Sequence, residues 1–144
     1  MRSVRSMLLV AVVFLFAAPI HSSATAPKTQ AAETAARFYL RWRNTVLNAK
    51  SGDEITPFFD AETKDEFTMA APSDRADMLA MMKRVFGMET DVKVVKETAT
   101  PSGATLSLEA VDSDKKPVVS SVVVVKENGA WKMTNAVERW KPKG

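Results

Sequence analysis

Side chains able to do chemistry are few in this chain. His21 is the only histidine, and cysteine is absent. His21 falls within the first 24 residues, which read as a leader removed on export, so the mature chain is expected to hold neither an imidazole nor a thiol. That excludes Ser–His and Cys–His nucleophilic pairs, histidine acid–base catalysis, and zinc or copper sites built on these ligands. What remains is carboxylates and a single phenol, Tyr39. On the inward part of a helix, the Tyr39 hydroxyl could donate to a ligand carbonyl, and with a carboxylate it would form an acid–base pair. The plainer reading is a tyrosine at the core edge with its hydroxyl at the wet rim. Glu109, Asp60, Glu62, Asp65 and Glu66 all fall on polar faces and read as solvated.

The methionines offer a second chemistry. Met78-x-x-Met81-Met82 could present two thioethers to copper. No histidine or cysteine completes such a ligand set, so the pattern reads as adaptable filling for an irregular core. Neither a metal nor a cofactor is expected. Eight side chains, Phe38, Tyr39, Trp42, Phe58, Phe59, Phe67, Met82 and Phe86, fall on inward faces and are candidates for an apolar pocket. The same eight would serve a plain core.

The elements that must position these residues can be read from periodicity. Arg2 and Arg5 precede an apolar run from Met7 to Ala18, followed by Pro19 and small residues. This is the pattern of a secretory signal peptide over 1–24, with Ser22-Ser23-Ala24 placing cleavage after Ala24. The apolar run is too short for the roughly 20 residues that span a bilayer. Residues 25–30 read as a flexible start. From Ala31 to Lys50, Ala35, Phe38, Tyr39, Trp42, Val46 and Ala49 recur at three and four, an amphipathic helix with an aromatic stripe. Arg37, Arg41, Arg43 and Asn44 lie mostly off that stripe, and Gly52 is expected as its left-handed stop. Thr56-Pro57 opens a single turn carrying Phe58 and Phe59, and a short helix follows from Asp60. Pro72 ends that helix, and Ser73 is expected to cap a third. The apolar face of this third helix is Ala76, Leu79, Met82, Val85 and Phe86, and Gly87 closes it.

After Gly87 the period becomes two. Strands are expected over Thr90–Thr98, Ala104–Ala110, Val118–Lys126 and Ala130–Val137, with a turn at Pro101-Ser102-Gly103 and a hairpin at Asn128-Gly129. Val118–Lys126 is apolar on both faces and so central. Trp42 and Trp131 are expected in the core; Trp140 either closes over the sheet or is exposed. Helices gathered before a meander predict an α+β layer architecture.

Two stretches resemble the nuclear transport factor two-like superfamily. One is Phe38-Tyr39 running into Lys50-Ser51-Gly52-Asp53. The other is the ending from Val122 through Asn128-Gly129-Ala130-Trp131-Lys132. The resemblance covers residues 31–140 and looks most like small secreted bacterial members; 141–144 is left as a tail. It implies a cone-shaped half-barrel, N-terminal helices packed on a curved four-stranded antiparallel sheet, with an apolar pocket at the open end. It also implies that homodimers form across the sheet, here through Val118–Lys126.

Charge limits the partners. The chain has 20 Lys+Arg against 17 Asp+Glu; without Arg2 and Arg5 the balance is 18 against 17. A near-neutral domain lacks the electrostatic footprint of a nucleic-acid binder, and no membrane anchor is expected. Without disulfides, stability must come from burial, which about 120 residues can supply. A bacterial periplasm or secreted location fits. The expectation is an exported binding or interaction module for a small apolar ligand or a protein partner. The alternative is an isomerase- or dehydratase-like enzyme using Tyr39 and a carboxylate.

Overall fold

The computed structural model describes residues 32–134 and 139–144. The leader and flexible start expected over 1–30, and the stretch 135–138 of the last expected strand, lie outside the described residues. The described part is α+β: α1 (Ala35–Asn48), α2 (Ala61–Met69) and α3 (Pro72–Phe86) precede β1 (Thr90–Thr100), β2 (Gly103–Val111), β3 (Pro117–Glu127), β4 (Ala130–Met133) and β5 (Lys141–Pro142). The strands form one antiparallel sheet in the order β1-β2-β3-β4, with β5 also paired to β3. Among the described residues no helix is long and apolar enough to cross a membrane.

α1 starts where Thr34 accepts a hydrogen bond from the Arg37 N–H, a side-chain N-cap. Its stripe is buried as the spacing predicts: Ala35, Phe38, Tyr39, Trp42, Val46 and Ala49 all join the core. Opposite them stand Ala104, Leu106 and Leu108 of β2, Val122 and Val124 of β3, and Met133 of β4. Strict alternation in β2 leaves Thr105, Ser107 and Glu109 half-buried on the outer face. The first turn of α1 and the residue just before its N-cap are fastened to the two margins of the sheet. Glu97 of β1 accepts from the Ala36 N–H at 3.0 Å, and the Trp131 indole of β4 donates to the Glu33 carbonyl at 2.7 Å. Trp131 is thus half-buried rather than deep in the core, its ring 4.6 Å beneath the Lys126 ammonium.

The chain between α1 and α2 turns through two short 3₁₀ segments, Gly52–Glu54 and Thr56–Phe58. Gly52 is not in the left-handed conformation expected of a helix stop; Gly129 is the one glycine with positive φ among the described residues. Its need for a hydrogen side chain comes from packing instead. A Cβ at Gly52 would stand 2.7 Å from the Phe67 ring, so the glycine lets α2 close over this turn. The segment after Pro57 runs along β4: Phe59 bridges Met133, and the Asp60 N–H donates to the Met133 carbonyl at 2.9 Å.

α3 begins two residues earlier than expected, with Ala71 at the N-cap and Pro72 at the first helical position. Pro72 opens this helix, because a residue there has no intrahelical acceptor to lose. Ser73 therefore lies inside the first turn. Leu79 and Phe86 are buried and Met82 is half-buried, but Ala76 and Val85 turn outward. The inner face of α3 is therefore narrower than the spacing suggested.

β3 is central, between β2 on one side and β4 and β5 on the other. The hairpin to β4 uses Asn128 (φ 50°) and Gly129 (φ 80°), two successive left-handed residues as a type I′ turn requires. β1 is long and irregular. Asp91 has φ 53°, and the register against β2 breaks twice, between Thr90 and Lys93 and between Val94 and Lys96. The expected C-terminal tail is in fact structural. Lys141–Pro142 pairs with Val118 and Val119, and the Lys143 ammonium meets the Glu109 carboxylate at 2.7 Å. Trp140 packs against the core.

Candidate functional site

The eight pocket candidates belong to the core or pack directly against it, and they divide into separate aromatic contacts. Phe38 meets Phe58 at 6.0 Å between ring centroids, with the Arg41 guanidinium 4.9 Å from the Phe58 ring. Phe59 meets Phe67 at 5.6 Å under α2. Tyr39, Trp42 and Phe86 form a row, Tyr39–Trp42 at 6.0 Å and Trp42–Phe86 edge to face at 5.0 Å. Each such contact adds about 0.5–1.5 kcal/mol to simple burial. Tyr39 is fully buried at 0% exposure, so its hydroxyl is not at a wet rim. Met82 packs against the core while Met78 and Met81 are exposed, so the three thioethers do not all face one side.

The eight candidates line neither of two concavities formed by described residues. One, of about 410 Å³, lies between the end of α1 and α3 and includes Lys50, Gly52, Arg75, Leu79 and Lys83. Two of its cations are already engaged. Lys83 donates to the Ala49 carbonyl at the C-terminus of α1, where positive charge is favoured. Arg75 lies 3.6 Å from the Asp53 carboxylate. The other, of about 610 Å³, is open on the outer face of the sheet, between Val95, Ser107, Glu109, Val119 and Lys141.

Periodicity also missed a charged group in the core. Arg43, on α1 beside Trp42, is only 7% exposed. Its guanidinium donates to the Phe86 carbonyl at 2.5 Å and the Glu89 carbonyl at 3.2 Å, and lies 5.7 Å from the Phe86 ring. It thus ties the end of α3, and the turn into β1, to the middle of α1. The Arg43 Nε, the Trp42 Nε1 and a Glu89 carboxylate oxygen are all buried without a hydrogen-bond partner among the described residues. Burial pushes the Glu89 carboxyl above its ordinary range, and the Arg43 charge only partly opposes this. The enzyme alternative asks for a perturbed carboxylate beside Tyr39; the charge facing this one is Arg43.

A carboxyl whose pKa is higher in the folded than in the unfolded state holds its proton more tightly when folded. Glu89 therefore costs nothing below the unfolded value, and stability declines as pH rises from about 4.3 through the raised value. Glu89→Gln, which mimics the protonated form, should flatten that decline and raise stability at neutral pH. Urea unfolding at pH 4, 5, 6 and 7 checks it; an unchanged pH profile in the variant would remove Glu89 as its source.

On the opposite side, α3 exposes a second apolar row. Met78 (38% exposed), Met81 (59%), Val85 (39%) and Met88 (55%) follow one another at intervals of three, four and three. Met88 continues the row beyond the helix end because its N–H still donates to the Val85 carbonyl, at 3.3 Å. α3 is thus apolar on two faces and covered on one. Exposed methionines form soft, deformable surfaces that adapt to a partner. Spacing puts Val85 on the inward face with Leu79, Met82 and Phe86; its outward placement completes the row with Met78 and Met81. Comparison with protein-family models, curated proteins and solved structures found no match to this chain.

Proposed function

We propose that this chain is an exported, non-enzymatic interaction module that docks a protein partner through the outward face of α3. The observation that carries the reading is the exposed row Met78, Met81, Val85 and Met88. A contiguous apolar row on an otherwise polar surface is the usual mark of a docking site. The polar core group Arg43 supports it from the other side. One terminal nitrogen of its guanidinium is held by two backbone carbonyls, which suits a fastening rather than a reaction centre.

Export rests on the Arg2, Arg5 and Met7–Ala18 pattern. Kinship with the nuclear transport factor two-like superfamily, with the sheet curved into a cone-shaped half-barrel, is the architecture we favour. Its support is an aromatic first helix whose stripe lies on the inner face of an antiparallel meander. The small apolar ligand expected for the cone has less support, because the aromatic candidates pack against one another.

A photoactivatable residue placed at Met81, and separately at Lys115 in the exposed turn between β2 and β3, tests the docking face in the producing cell. Irradiation should give a discrete protein adduct from position 81 and none from position 115. No adduct at 81, or equal labelling at both positions, would overturn the reading.

A further inference from the structure

We infer that the occupant of the α3 face is a second copy of this chain, its α3 paired antiparallel to the first about a two-fold axis. This rests on the docking reading above and names its partner. Intervals of three, four and three are those of a heptad seam, with Met78 and Val85 at one core position and Met81 and Met88 at the other. The 15 residues of α3 give a helix about 22 Å long, enough for two such repeats.

Charge chooses the partner and its direction. Asp77 and Arg84 flank the row, seven residues apart and therefore on nearly the same side of the helix. Both are exposed, and neither joins an ion pair or hydrogen bond among the described residues. When the seam pairs antiparallel with itself, Met81 packs against the partner's Val85 and Met78 against the partner's Met88. In that same register Asp77 falls opposite the partner's Arg84, and the two-fold axis repeats the pair. One face thus carries both halves of each contact, as an isologous interface requires. The helix has Asp74 in its first turn and Lys83 and Arg84 in its last, so a parallel pairing would bring like-charged ends together. Both edges of central β3 are occupied by β2, β4 and β5, and the outer sheet face around Val123 is a competing surface.

Two short helices bury less than the roughly 1,200 Å² of a stable interface, so the dimer should be weak, with Kd on the order of 10–100 µM. Sedimentation velocity of the full chain, from about 10 µM to about 1 mM, should show reversible dimerisation across that range. Asp77→Arg should weaken the dimer about tenfold, and the double variant Asp77→Arg/Arg84→Asp should restore it. Met81→Glu should leave only monomer, with an unchanged circular dichroism spectrum, while Val123→Glu should leave the dimer intact. A monomer throughout, or a dimer broken by Val123→Glu but not by Met81→Glu, would overturn the inference. The adduct from position 81 separates the two failures. A different protein captured there by a monomeric chain leaves the docking face standing without self-pairing, and no adduct removes both.

Discussion

Trp42→Ala should lower the unfolding free energy by about 3–5 kcal/mol, because it empties the centre of the Tyr39–Trp42–Phe86 row. The indole is 4% exposed, packed between Tyr39 and Phe86. The loss should appear as a lower urea midpoint with an unchanged slope. Trp42→Phe is the informative companion. The indole N–H is buried without an acceptor among the described residues, so phenylalanine removes an unsatisfied donor along with some volume. Its cost should stay within about 1.5 kcal/mol. A Trp42→Ala change below about 1 kcal/mol would mean that Trp42 does not hold α1 to α3.

Gly103→Ala should be at least as severe, at about 3 kcal/mol or more. Gly103 opens β2 opposite Val125, and a Cβ there would lie 2.0 Å from the Val124 carbonyl oxygen and 2.7 Å from the Val125 Cα. Those atoms are backbone in the central strand, so no rotamer change relieves the collision. β2 must slide or its first pairs must open. Hydrogen exchange should then show lost protection beginning at Gly103–Thr105 and at Lys126, whose N–H donates to the adjacent Ser102 carbonyl. Protection as in the native protein would refute the account. Gly103 has an ordinary φ, so its constraint is proximity, unlike that of Gly129.

These two positions also show what a sequence can and cannot disclose. The stripe containing Trp42 was legible because helical period and burial coincide, and the Asn128-Gly129 hairpin because two left-handed residues in succession demand those types. Central β3 was legible from apolar residues on both faces. Arg43 was not, because a guanidinium off the stripe reads as solvated unless the carbonyls of Phe86 and Glu89 are known to await it. Gly52 was legible as a necessary glycine but not for the right reason, since Phe67 approaches it from 15 residues further along. The pairing of Lys141–Pro142 with β3 carries no local signal at all; two residues have no period. Of the candidate site, the sequence marked the methionines, but only the placement of Leu79 and Phe86 inward reveals which of them are left outside.

β1 closes one side of the sheet and, among the described residues, pairs only with β2. Such an edge is a template on which a strand from another molecule can polymerise. Its longest unbroken register is Lys96–Thr100, because Asp91 and the two breaks bend the strand before it. Lys93 and Lys96 add a desolvation and repulsion cost to any like strand that approaches. A chain with no disulfides must expose its strands whenever it opens, and this crooked, charged margin opposes the growth of a fibril from it.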